Sequence, residues 1–189
     1  MKINQKAKQK ERTRLLKYIK DDNIDSVKEF LLTYTYDDFD KLFRYACENG
    51  SENVIKYLLG EFDDFYSSEI DSGLVFLVQK FPKLFLEIHK KFINQKGYKD
   101  AEIRFMRIAA RFGKEDLFTY FINERGIDPA QPKNELLYSL IRKTKISASG
   151  NNIQRMIEIL KNDPRVIEEA AKCNQTDLLP DDIKDMFVF

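Results

Sequence analysis

The chain has no tryptophan, one histidine, two cysteines, and few glycines or prolines, seven and five in 189 residues. Each shortage excludes something. A lone His89 cannot supply a metal cluster or a pair of proton-transfer imidazoles, and no glycine-rich phosphate loop, HExxH or GxSxG pattern occurs. Cys47 and Cys173 are too few for a disulfide framework and too far apart for metal-ligand spacing. Scarce Gly and Pro argue against a many-turned β protein and favour long helices. No apolar run approaches the roughly 20 residues that span a bilayer. The start, Met1 to Arg14, is polar and basic and has no apolar core of a secretory signal. The net charge is only +1, so overall charge gives no reason to expect nucleic acid or a membrane surface.

What is plentiful is Phe (15) and Tyr (9), with ordinary amounts of aliphatic residues. Bulky rings here fill space that Leu and Ala fill in regular repeats. Repetition is the clearest organising signal. Tyr45 to Leu59 reads as a small pair, two further residues, Gly50, three polar residues and a short apolar run. Ile108 to Ile122 repeats that order around Gly113. The small residues allow close helix approach, and each Gly ends a first helix before a second begins. The glycines are 113 − 50 = 63 residues apart, about twice a period of roughly 33, so a degenerate copy is expected between them, around Asp71 to Phe92. An upstream copy aligns Asn23 with Gly50, since Asn tolerates the left-handed conformation. A further copy runs from Asn152 to Leu160, and a partial one begins at Ala170.

On these residues the chain resembles the ankyrin-repeat family. Asn123 to Gln131 adds to the likeness, with Gly126 closing a second helix and an Asp-containing turn leading onward. The resemblance spans Arg14 to Cys173 and departs from the family in lacking its Thr-Pro-Leu-His opening. It implies an all-α, ankyrin-like solenoid of about five to six degenerate helix-turn-helix repeats with helical caps. A single domain over 1–189 is expected, with 1–13 a polar N-terminal extension or cap and 174–189 a C-terminal cap. The implied role is non-enzymatic: a protein-protein interaction module working through the concave first-helix face and the loop tips.

The helix pattern can be placed along the chain. Lys2 to Lys20 carries Leu15, Leu16 and Ile19 on one face, and Asp25 is placed as the cap of the next helix. Phe39 to Asn49 buries Leu42, Phe43, Ala46 and Cys47, and Ser51 is the expected N-cap of the helix after it. Glu61 to Tyr66 reads as a loop. Gly73 to Lys80 resembles a buried strand in composition but is read as helix, with Pro82 at the first position of its successor. Ser147 to Asn151 reads as a flexible insertion, Asp163-Pro164 opens Arg165 to Lys172, and Pro180 starts a short final helix.

Counting back nine and six residues from each anchor gives Arg14 and Lys17 (from Asn23), Lys41 and Arg44 (from Gly50), and Arg104 and Arg107 (from Gly113). All six are basic. With Arg111 they form a candidate stripe for a protein partner with an acidic surface; equally, Lys and Arg are good helix formers that solvate an exposed side. The middle copy interrupts the stripe with Gly73 and Phe76. Phe62, Phe65 and Tyr66 are a second candidate contact, as aromatic loop tips anchor interfaces. The acids around Asp37 and Asp63 suit helix starts and loop tips rather than a calcium loop. No cofactor, metal, membrane or small-molecule substrate is expected. Three alternatives stay open: a bacterial effector or viral host-interaction protein on the same scaffold, suggested by a Lys-, Ile-, Asn- and Phe-rich composition, a nucleic-acid binder using the basic stripe, and a small enzyme in the irregular middle. The expected setting is cytoplasmic or otherwise intracellular.

Overall fold

The computed structural model describes residues 2–33, 39–61, 68–94, 98–130, 134–146, 151–173 and 175. Among them are eleven helices and no strand. They are α1 (Lys2–Lys20), α2 (Ile24–Thr33), α3 (Phe39–Asn49), α4 (Glu52–Glu61), α5 (Ser68–Lys80), α6 (Pro82–His89), α7 (Tyr98–Arg111), α8 (Glu115–Asn123), α9 (Glu135–Ile146), α10 (Asn151–Lys161) and α11 (Pro164–Lys172). The protein is all-α. The chain divides into two compact units, Met1–Ala101 and Glu102–Phe189, and the division falls within α7. No described helix is long and apolar enough to cross a membrane. The readings placed on 62–67, on 147–150 and on the tail at 176–189 lie outside the described residues.

The junction between paired helices has the same chemistry three times. Gly50 and Gly113 take positive φ, 70° and 68°, and so does Asp22, at 51°. The backbone bonds match as well. Ser51 N donates to Ala46 O (3.0 Å) and Gly50 N to Cys47 O (3.3 Å). Lys114 N donates to Ala109 O (2.8 Å) and Gly113 N to Ala110 O (3.2 Å). Asn23 N donates to Tyr18 O (2.9 Å) and Asp22 N to Ile19 O (3.0 Å). This is a Schellman closure, in which a left-handed residue lets two amides satisfy the last carbonyls of a helix. The left-handed residue of the first junction is therefore Asp22, which corrects the alignment on Asn23. Asn23 instead caps α2, its Oδ1 accepting from Ser26 N at 3.0 Å, and Asp25 lies inside the first turn.

The expected pair between the two glycines is present as α5 and α6, with Gly73 to Lys80 helical. Its junction is shorter. Phe81 alone separates the helices, and Pro82 opens α6 where its missing N–H is harmless. With no left-handed residue needed, no glycine marks this copy.

In the first unit α3 packs between α1 and α5, pairs with α4, and α2 packs on α4. Gly73 explains the close α3–α5 approach: a Cβ there would stand 3.0 Å from Phe43 Cε1 and 3.2 Å from Cys47 Sγ. Leu15, Ile19, Leu42, Phe43, Ala46, Leu74 and Leu77 are fully buried in this layer.

Each junction is also gripped by the next helix pair of its own unit. The Asp22 carboxylate accepts from Asn53 N (3.2 Å), Asn53 Nδ2 (2.9 Å) and Val54 N (3.0 Å) at the start of α4. The expected cap of that helix, Ser51, holds the right place but its buried hydroxyl has no partner among the described residues. A charged acceptor from the previous pair has taken the amides instead. The Phe81 ring covers Gly50 so closely that a Cβ would run into it.

In the second unit α8 and α9 both pack on α10, and α11 joins α10. Asn152 Nδ2 donates to Gly113 O at 3.2 Å, so the second residue of α10 grips a junction as Asn53 does in α4. Glu102, nearly fully buried, accepts from Arg125 Nε at 2.7 Å and ties α7 to the end of α8. Gly126 follows with φ 63°, and Asp128 Oδ1 accepts from Ala130 N at 2.9 Å, so the expected Asp turn is formed. Asn151 is the first residue of α10, which corrects its placement in the preceding insertion.

Candidate protein-binding surface

In the first unit α1 and α3 pack against each other. Burying Leu15 and Ile19 on α1, and Leu42, Phe43, Ala46 and Cys47 on α3, turns the remaining positions outward. Between the two helices lies a depression of about 190 Å³ lined by Arg12, Leu16, Lys41, Leu42, Arg44, Tyr45 and Glu48. Arg12 and Leu16 are one helical turn apart, as are Lys41 and Tyr45, so each helix offers a cation and an apolar neighbour to the same groove. Arg44 Nε lies 3.1 Å from Glu48 Oε1, and both are partly exposed.

Of the residues anticipated for this surface, Lys41 and Arg44 line the groove, whereas Arg14 and Lys17 do not. The register shift is the reason. Counting nine and six back from Asp22 instead of Asn23 lands on Thr13 and Leu16, so the α1 partners of Lys41 and Arg44 are not basic. Arg14 is exposed, hydrogen-bonds the Tyr18 hydroxyl on its own helix and lies 5.3 Å from that ring's centroid. Lys17 is exposed outside the groove. Arg12, Leu16, Leu42, Tyr45 and Glu48 were the lining residues that sequence counting missed. The Asp21-Asp22-Asn23 run held the signal, since either of two adjacent residues could have been the left-handed one.

In the second unit, Arg104 and Arg111 are exposed on α7 and Arg107 is half-buried. The Arg104 guanidinium lies 5.8 Å from the Phe105 ring. Phe112, 47% exposed at the end of this helix, is among the large apolar side chains open to solvent in the described residues. Phe62, Phe65 and Tyr66 lie outside the described residues.

His89 and Cys47 sit in packing roles. His89 is completely buried, stacks on Phe85 at 5.2 Å between centroids, and has Nδ1 3.2 Å from the Tyr98 hydroxyl. Cys47 is buried, and burial, with the nearby Glu48 charge, pushes its thiol pKa well up, which suppresses the nucleophilic thiolate. Among the described residues no group of three or more His, Cys, Asp or Glu is placed to hold a metal ion. A second depression, of about 390 Å³, lies between α4 and α6 and is lined by Lys56, Leu59, Gly60, Glu87, Ile88 and Lys91. It is crossed by the Lys56 Nζ–Glu87 Oε2 pair at 3.2 Å, and Lys56 also meets Glu52, so its cation is already answered by two carboxylates.

No known protein family, curated protein or solved structure matches the chain.

Proposed function

We propose that the chain is an ankyrin-like array of degenerate helix pairs and that it serves as a non-enzymatic module binding a protein partner through its first helices. The observation carrying the architectural part is the threefold recurrence of one junction, at Asp22, Gly50 and Gly113, with each left-handed residue contacted by a later helix pair. A pair of short helices cannot bury its apolar side alone, and stacking on a neighbour completes the core. The binding role is supported by the α1/α3 groove, where Arg12, Lys41 and Arg44 surround the apolar side chains of Leu16 and Tyr45.

The test is capture of partners from lysate with the full chain and two variants. Lys41→Glu with Arg44→Glu reverses the groove, whereas Lys83→Glu with Lys90→Glu reverses exposed positions on and just after α6. A partner retained by the second variant and lost by the first supports the assignment. A partner that binds both alike removes the first-helix face from the account.

A further inference from the structure

The junction at Gly50 carries a reactive dipeptide. Asn49-Gly50 is the one Asn-Gly pair in the sequence. Such a pair can close on itself: with no side chain on the Gly, its amide nitrogen reaches the carbonyl carbon of the preceding Asn side chain with little hindrance. Of the three matching junctions, only this one places Asn before the left-handed residue; Asp21 and Phe112 stand there in the others. The folded junction engages both reacting groups elsewhere. Gly50 N donates to Cys47 O at 3.3 Å, and Asn49 Nδ2 donates to Tyr45 O at 2.8 Å. Asn49 is the last residue of α3, and ring closure needs its peptide to rotate out of the helical conformation. The bond from Ser51 N to Ala46 O (3.0 Å) and the Phe81 ring over Gly50 both oppose that rotation. Phe81 sits between α5 and α6, so the next helix pair guards the reaction.

We infer that Asn49-Gly50 is a site of spontaneous deamidation that the neighbouring helix pair keeps closed, so that modification occurs only when the α3/α4 junction opens. On opening, Gly50 N gives its proton to solvent and bonds to Asn49 Cγ. The Cγ–Nδ2 bond breaks, ammonia leaves, and a cyclic imide remains. Water then opens the ring. Attack at Cγ restores the ordinary linkage as aspartate. Attack at the Asn49 main-chain carbonyl carbon breaks its bond to Gly50 N and routes the chain through the side chain as isoaspartate. Water is consumed and ammonia released, with no change of oxidation state. The isoaspartate link adds a methylene to the backbone just before Gly50. The paired bonds to Cys47 O and Ala46 O require the ordinary spacing and cannot both re-form, so the change leaves the junction open.

The experiment incubates the full chain in mildly alkaline buffer, folded and in strong guanidinium chloride. Mass spectrometry follows the peptide containing Asn49, with isoaspartate separated from aspartate by chromatography. Conversion should be at least about tenfold slower in the folded chain. Phe81→Ala should speed the folded chain's conversion at least about threefold and leave the denatured rate unchanged. Arg125→Ala, which weakens a tie within the other compact unit, should leave both rates unchanged. Should Phe81→Ala fail to fold, Phe81→Leu supplies the same comparison with a smaller acceleration expected. After conversion in denaturant and refolding, the isoaspartate fraction should melt below Asn49→Asp, which reproduces the ordinary linkage. Equal rates in the folded and denatured chain, or no conversion in denaturant, overturns the inference. So does a folded rate indifferent to Phe81, an equal acceleration by Arg125→Ala, or an isoaspartate fraction that melts with Asn49→Asp.

Discussion

Gly50 concentrates the logic of the fold in one residue. It must adopt a left-handed backbone, and the Phe81 ring occupies the space where a side chain would begin. Gly50→Ala should therefore cost about 2–4 kcal/mol, combining left-handed strain with an overpacked contact. Gly60, on α4, has nothing within 4 Å of an added Cβ. Gly60→Ala should change stability by less than about 1 kcal/mol, and in the stabilising direction, because Ala is the better helix former. Urea unfolding of both variants checks the contrast. The glycines at 50 and 113 could be read from the sequence because only glycine takes that conformation without cost. Asp22 could not be distinguished from Asn23, because both residue types tolerate it and they are adjacent. That one-residue ambiguity moved Arg14 and Lys17 into the expected surface and left out Leu16.

Among the elements, the α7/α8 hairpin depends on one ion pair. Glu102 is almost fully buried, and Arg125 is its hydrogen-bonded partner at 2.7 Å. Arg125→Ala leaves a buried carboxylate and should destabilise by about 3–5 kcal/mol, while Glu102→Leu combined with Arg125→Met should recover most of the loss. A double-mutant cycle by chemical denaturation measures this. α11 shows a different dependence. Burial pushes the Asp163 carboxyl pKa up, but bonds from the Arg165 side chain and backbone and from the Val166 amide outweigh it and hold the pKa below its ordinary value of 3.8. A carboxyl depressed in the folded state contributes stability above its unfolded pKa and loses it as the pH falls through the folded one. Asp163→Asn keeps a capping side chain but removes the charge that answers Arg165, so it should lower stability at neutral pH by about 0.2–1 kcal/mol and bring no penalty in strong acid. Thermal melts from pH 7 to below about 3 follow the difference. The helix itself was readable from Asp163-Pro164, since the cap and the proline at the first position are local signals. The Glu102–Arg125 tie was not, because 23 residues separate partners that only the folded hairpin brings together.

For the molecule as a whole, the all-α class and the helix order followed from local periodicity and, for α5, where Gly73 to Lys80 resembles a strand in composition, from its helical neighbours and Pro82. What the sequence did not disclose was how one pair holds the next. Asp22 reaches 31 and 32 residues forward to cap α4, and this displaces the hydroxyl of Ser51, the residue local rules select. Such long-range substitutions fit a fold in which idiosyncratic pairs suit only their own neighbours. The central claim is thus that stability passes from pair to pair through these junctions. Native-state hydrogen exchange of Asp22→Gly tests it most directly, since Gly keeps the left-handed backbone and removes only the carboxylate. The account predicts a loss of about 1–2 kcal/mol of protection at the start of α4, at Asn53 and Val54 and the amides following them, with α6 little affected. Altered protection confined to the α1/α2 junction, with α4 unchanged, would contradict it.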